Sequence, residues 1–251
     1  MIADDVMLSC RGLSKRFGAQ SVLAGVDLDV VRGETLVVLG HSGTGKSVLI
    51  KHMNVLMRPD SGEVVFEGRD VCGLGERDLV AVRLKVAMLF QAGALFDSLT
   101  VGGNVGFPLD QHGVGTPAER DERVAELLDI VGLGGTQEKM PSELSGGMRK
   151  RAALARALAI QPEVMLYDEP TTGLDPVTGQ QINELIRDMQ ARFGLTSVVV
   201  THDLASARYI ADRMAFLHEG RIRLIGATEE VAATDDPVVG AFFSAGHAGG
   251  A

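Results

Sequence analysis

With 251 residues, 45% of them hydrophobic and 23% charged, the chain is long enough to close one large domain around its own core, and disorder is excluded for most of its length. A formal net charge of −9 with no long basic run excludes the electrostatic footprint of a nucleic-acid binder. No apolar stretch approaches the roughly 20 residues of a membrane-spanning helix, and Met1-Ile2-Ala3-Asp4-Asp5 reads as neither signal nor transit peptide, so membrane crossing is expected of another chain.

From the N-terminus, Val6-Met7-Leu8-Ser9 and Val26-Asp27-Leu28-Asp29-Val30 alternate with the period of half-buried strands. Leu36-Val37-Val38-Leu39 is apolar throughout, as suits a strand buried on both faces of a parallel sheet. Gly40-His41-Ser42-Gly43-Thr44-Gly45-Lys46-Ser47 follows at once and matches the phosphate-binding pattern G-x-x-x-x-G-K-S/T. Its glycines admit positive φ, so successive N–H groups can surround phosphate oxygens, and a helix predicted over Ser47 to Met57 adds a favourable field. Lys46 suits the β and γ phosphates, and the Ser47 hydroxyl suits Mg²⁺. A further strand is predicted over Glu63 to Gly68. Cys10 and Cys72 lack metal-ligand spacing and read as reduced, structural thiols.

Val86-Ala87-Met88-Leu89-Phe90 is a second buried run. Between Gln91 and Ala159 the pattern turns helical, over Ala118 to Leu128 and Met148 to Ile160, which predicts a helical insert between core strands. Leu144-Ser145-Gly146-Gly147-Met148 opens the second of these helices. Ser145 suits an N-cap, and the free N–H groups behind it suit a second phosphate site. Val164-Met165-Leu166-Tyr167 is a buried strand ending in Asp168 and Glu169. Asp168 suits Mg²⁺, and Glu169 suits the base that orients an attacking water. Pro170 predicts an extended backbone at Glu169. Ser197-Val198-Val199-Val200 leads to His202, at the end of a parallel sheet where ligands gather and within reach of a γ-phosphate. The alternating order predicts an α/β fold.

The P-loop, Leu144-Ser145-Gly146-Gly147, Asp168-Glu169 and His202, in this order, resemble the nucleotide-binding subunits of ABC transporters over about Leu8 to Phe243. The resemblance implies a RecA-like P-loop NTPase core with an N-terminal antiparallel β subdomain and a helical insert. It implies one ATP-binding domain over 1–245, with core segments 1–90 and 160–245, a helical subdomain 91–159, and a flexible tail 246–251. It also implies ATP hydrolysis with Mg²⁺ by a homodimer, in which Ser145, Gly146 and Gly147 of one subunit close over the γ-phosphate held by the other. Gln91 then reaches Mg²⁺ and water, Phe17 stacks on adenine, and Gly173-Leu174-Asp175 communicates between the two sites. Leu95, Phe96 and Val101 begin the groove that takes a cytoplasmic helix of the permease.

The chain departs from the family's usual pattern at Met148, where glutamine is common, and at Thr172-Gly173, where Ser-Ala is common. Neither change removes a catalytic group. Leu-Ser-Gly-Gly-Met-Arg-Lys-Arg from Leu144, with Leu89-Phe90-Gln91-Ala92-Gly93-Ala94-Leu95-Phe96, is most similar to the ATPases of Mla/Mce-type lipid transporters. That narrower resemblance implies a peripheral subunit on the cytoplasmic face of the inner membrane. Its partners would be an MlaE-like permease, an Mce-domain protein and, in some relatives, a small STAS-type regulator.

Overall fold

Strands β1 (Val6–Phe17) and β2 (Gln20–Val31) pair antiparallel across a two-residue turn, in which Gly18 takes φ 58°. The computed structural model describes residues 5–248. β4 (Ser61–Phe66) and the short β5 (Arg69–Asp70) complete a sheet of order β2-β1-β4-β5. The alternating pattern predicted half-burial for β1, yet Met7 to Cys10 are all buried. The pairing of β1 with β2 shifts register between Val6 and Leu8, which breaks the period of two, and Met7 joins the same buried cluster as Leu8 and Cys10.

The apolar runs form the second sheet: β3 (Thr35–Leu39), β6 (Val86–Leu89), β7 (Val164–Asp168) and β8 (Thr196–Thr201), with β9 (Arg213–His218) and β10 (Arg221–Ala227). Its order is β10-β9-β3-β8-β7-β6, parallel except for β10 at one edge. Each parallel strand feeds two cores. On β3, Val37 and Leu39 join the helical side, whereas Leu36 and Val38 face the antiparallel sheet. That division explains the lack of alternation in the sequence, because both faces are covered.

Helix α1 (Lys46–Met53) follows β3, and α2 (Glu76–Lys85) precedes β6. The helix predicted to reach Met57 ends four residues earlier, where Val55 takes φ 53° and its N–H bonds back to the His52 carbonyl. Between β6 and β7 lie α3 (Val101–His112), α4 (Pro117–Ile130), a 3-10 turn at Pro141–Glu143 and α5 (Gly146–Leu158). Helices α6 (Pro176–Phe193), α7 (Leu204–Ile210), α8 (Thr228–Ala232) and α9 (Pro237–Ala248) complete the chain. The predicted tail over 246–251 falls partly in α9, and 249–251 lie outside the described residues. Among the described residues no helix is long and apolar enough to cross a membrane.

Candidate nucleotide site

The segment Gly40 to Ser47 turns between β3 and α1 because its glycines meet steric demands that other residues cannot. Gly45 holds φ 101°, and a Cβ there would lie 2.9 Å from Val22 Cγ1. A Cβ on Gly40 would lie 2.5 Å from the Leu217 carbonyl oxygen. Gly45 is also the N-cap of α1 and no side chain caps the helix start, an arrangement that suits an anion at the first-turn N–H groups.

Lys46 is 5% exposed. Its ammonium donates to the carbonyls of Gly40 (2.8 Å) and His41 (3.1 Å) and stands 3.5 Å from Glu169 Oε1. Burial lowers its pKa, and the Glu169 carboxylate opposes that effect. The Ser47 hydroxyl donates to Asp168 Oδ1 at 2.7 Å, joining the loop to the tip of β7. These are hard oxygen donors of the kind Mg²⁺ takes, so the residues present fit that ion.

Glu169 follows as the hub of the strand ends. Its Oε2 accepts from the hydroxyls of Thr172 (3.1 Å) and Thr201 (3.3 Å) and lies 2.9 Å from His202 Nδ1. The extended backbone predicted from Pro170 is not found, and Glu169 takes a left-handed φ of 48°. Tertiary bonds override the local preference: the Glu169 N–H donates to the Val200 carbonyl at 2.9 Å, and Lys150 Nζ donates to the Glu169 carbonyl at 3.3 Å. Left-handed angles at a non-glycine residue cost about 1–3 kcal/mol and gather at working sites.

A cavity of about 460 Å³ opens between these elements. Ser42, Gly43, Gly45, Lys46 and Ser47 form its floor, Phe17 and Val22 one wall, and Gln91, Glu169, Thr172 and His202 the other. Phe17 is 47% exposed, which suits a stacking surface better than a core position. A second cavity of about 460 Å³ lies where β7 and β8 begin, lined by Met7, Leu158 and Phe193. The chemistry belongs to the first, at the C-terminal ends of the parallel strands.

The remaining predicted residues sit elsewhere. Thr44 Oγ1 donates to the His41 carbonyl at 2.9 Å, and the His41 ring meets Phe242 of α9 edge-on at 5.0 Å. Ser145, Gly146, Gly147 and Asp175 do not line the cavity. Ser145 caps α5 by accepting from the Met148 N–H at 3.2 Å. Asp175 caps α6 through the N–H groups of Val177 and Thr178, and its bonds to Thr178 lower its pKa. The two caps pack on each other, since a Cβ on Gly146 would lie 3.5 Å from Leu174 and one on Gly147 2.4 Å from Thr178 Cγ2.

Sequence reasoning missed Val22, Thr172, Thr201 and Lys150. One signal for Lys150 was present: it lies four residues before Leu154 and eight before Leu158, on the stripe that α5 buries.

The ABC transporter family model matches residues 23–172. The "Probable ribonucleotide transport ATP-binding protein mkl" of Mycobacterium leprae is 41% identical over 239 residues, 95% of this chain and 69% of that protein. "Protein TRIGALACTOSYLDIACYLGLYCEROL 3, chloroplastic" of Arabidopsis thaliana is 41% identical over 95% of this chain and 73% of its own length. "Methionine import ATP-binding protein MetN" of Rhizobium etli is 45% identical over 84% of this chain and 58% of its own. Among solved structures, the dimeric post-hydrolysis state of the ATP-binding cassette MJ0796 bound to ADP and Pi superposes with a TM-score of 0.82 at 33% identity, over 88% of this chain and 99% of that one. A glycine loop, a paired carboxylate tip and a separate Ser-Gly-Gly helix start on this scaffold place the chain in the ABC transporter family, as its ATP-binding and ATP-hydrolysing component.

Proposed function

We propose that two copies of this chain close face to face on two ATP molecules and so drive a separate lipid permease on the cytoplasmic face of an inner membrane. The observation that carries the pairing is the position of Ser145 to Gly147, a phosphate-type helix start that lies outside the cavity of its own chain. A partner's P-loop supplies the phosphate it lacks. In the closed pair Lys46 neutralises the β and γ phosphates, Phe17 stacks on the adenine, and Glu169 accepts the proton of the water that attacks the γ-phosphorus as the bond to ADP breaks. His202, 2.9 Å from Glu169, orients that carboxylate and reaches the γ-phosphate. Ser47, Asp168 and Gln91 would hold Mg²⁺, which would offset phosphate charge. Residues 91–159 serve as the helical subdomain, and its Phe96, 43% exposed beside Phe107, meets the permease.

The lipid reading rests on the segments around Gln91 and Ser145 and on the likeness to the relative named for trigalactosyldiacylglycerol. The methionine importer, 45% identical, supports an amino-acid permease as the second reading. Relatives of similar identity carry different cargo names, which follows when the cargo touches another chain. Purification of the chain from its native membrane in mild detergent, with its partners identified, tests the assignment. Recovery of a multi-span permease with an Mce-domain protein is expected, and recovery of an amino-acid or nucleotide permease instead overturns it.

A further inference from the structure

Lys150 lies on α5, five residues after Ser145, and is 6% exposed. Its ammonium donates to three main-chain carbonyls, those of Glu169 (3.3 Å), Pro170 (2.6 Å) and Thr172 (2.8 Å). All three belong to the loop that presents the Glu169 carboxylate to the nucleotide cavity. This loop holds a non-glycine residue at φ 48° and next to it a proline without an N–H. The Thr172 N–H turns back to the Glu169 carbonyl at 3.3 Å, and the Pro170 and Thr172 carbonyls take their donor from Lys150. A buried ammonium facing three carbonyl dipoles is costly to place, and burial brings its pKa down to about 8. An apolar side chain at that position would continue the stripe of Leu154 and Leu158 without that cost.

We infer that Lys150 is a positioning residue for hydrolysis, holding the backbone of Glu169 in the left-handed angle that aims its carboxylate at the attacking water. The inference rests on Glu169 as the water-orienting base. It also gives the helix that begins at Ser145 a direct grip on the backbone of the loop that carries the carboxylate of its own chain. The start of α5, which packs on the segment Leu174 to Thr178, and the base are then moved by one rigid element.

The test uses the full chain and compares Lys150→Met, which keeps the aliphatic stem and loses the donors, with Lys150→Gln, which returns two N–H donors. Lys150→Met is expected to lower kcat for ATP about 10-fold or more while KM stays within about 2-fold, and Lys150→Gln to recover part of the loss. Single-turnover rates with labelled ATP complete a cycle with Glu169→Gln. If Lys150 acts through Glu169, Lys150→Met costs nothing further in that background. A wild-type kcat in Lys150→Met, a loss confined to KM, or losses that multiply in the double variant each overturn the proposal. Should Lys150→Met not fold, Lys150→Gln against wild type carries the same comparison. A wild-type rate in Glu169→Gln alone would instead sink the base assignment, so the two failures are separable.

Discussion

Gly147 shows how one residue can answer to packing and chemistry together. Its place in the Ser-Gly-Gly run suggests only an approach to phosphate, but a Cβ there would lie 2.4 Å from Thr178 Cγ2 within the same chain. Thr178 is β-branched and sits in the first turn of α6, so it has little rotamer freedom with which to yield. Alanine in a helix gains about 1 kcal/mol over glycine, whereas overpacking costs roughly 1–3 kcal/mol, and with so close a contact the clash outweighs the gain. Gly147→Ala should therefore destabilise the chain by about 1 kcal/mol in urea unfolding. Adding Thr178→Ser, which deletes the struck methyl, should cancel that loss, and an uncancelled loss would locate the strain elsewhere. Cys10 illustrates the bland case: burial pushes its thiol up to about 12, as expected of a structural cysteine.

At the scale of elements, the segment between β6 and α3 is pinned by one side chain that no motif announces. Asn104 is fully buried on α3. It accepts from the Phe96 N–H at 2.7 Å and shares its two amide hydrogens among the carbonyls of Phe96 (3.0 Å), Leu99 (3.2 Å) and Thr100 (3.0 Å). Arg156 of α5 holds the other end of the segment through the carbonyls of Gly93 (3.1 Å) and Ala94 (2.8 Å). In Asn104→Ala the Phe96 carbonyl keeps the Leu99 N–H and the Thr100 carbonyl keeps the Asn104 N–H, but the Phe96 N–H and the Leu99 carbonyl lose their partner, which costs about 1–3 kcal/mol. The expected readout is a lower unfolding midpoint together with faster amide exchange over residues 93–100, and unchanged exchange there would show that Arg156 alone suffices. The strands and the P-loop were legible in the sequence because their signals are local: apolar runs, glycines and fixed spacing. Lys150 was legible only as a place on the buried stripe, because its role is set by carbonyls 19 to 22 residues away. Asn104 was not legible, because its partners, though within eight residues, depend on how the preceding loop turns back onto α3.

For the whole molecule, the proposed division of phosphate sites between two surfaces makes complementation the sharpest test of pairing. In a composite site, Lys46→Ala spoils the P-loop side and Ser145→Arg spoils the Ser-Gly-Gly side, so either variant alone leaves no intact site in its homodimer. Mixing the two creates a heterodimer in which the P-loop of one chain meets the Ser145 element of the other, both unaltered. ATPase activity should reappear on mixing and rise with the heterodimer fraction. If mixing restores nothing while both variants remain folded, a site completed within a single chain becomes the better description.

The amino-acid sequence by itself determined the α/β class, the phosphate loop and the carboxylate tip, and family membership follows from their order. Each of these is written in neighbours along the chain, whose spacing constrains backbone angles directly. Tertiary structure decided the rest. It set Glu169 at a left-handed angle against the preference imposed by Pro170, through bonds from β8 and Lys150. It also placed Ser145 to Gly147 against α6 instead of in the cavity. Both outcomes depend on contacts between residues far apart in sequence, where hydrogen bonds and close packing outweigh what any local segment prefers.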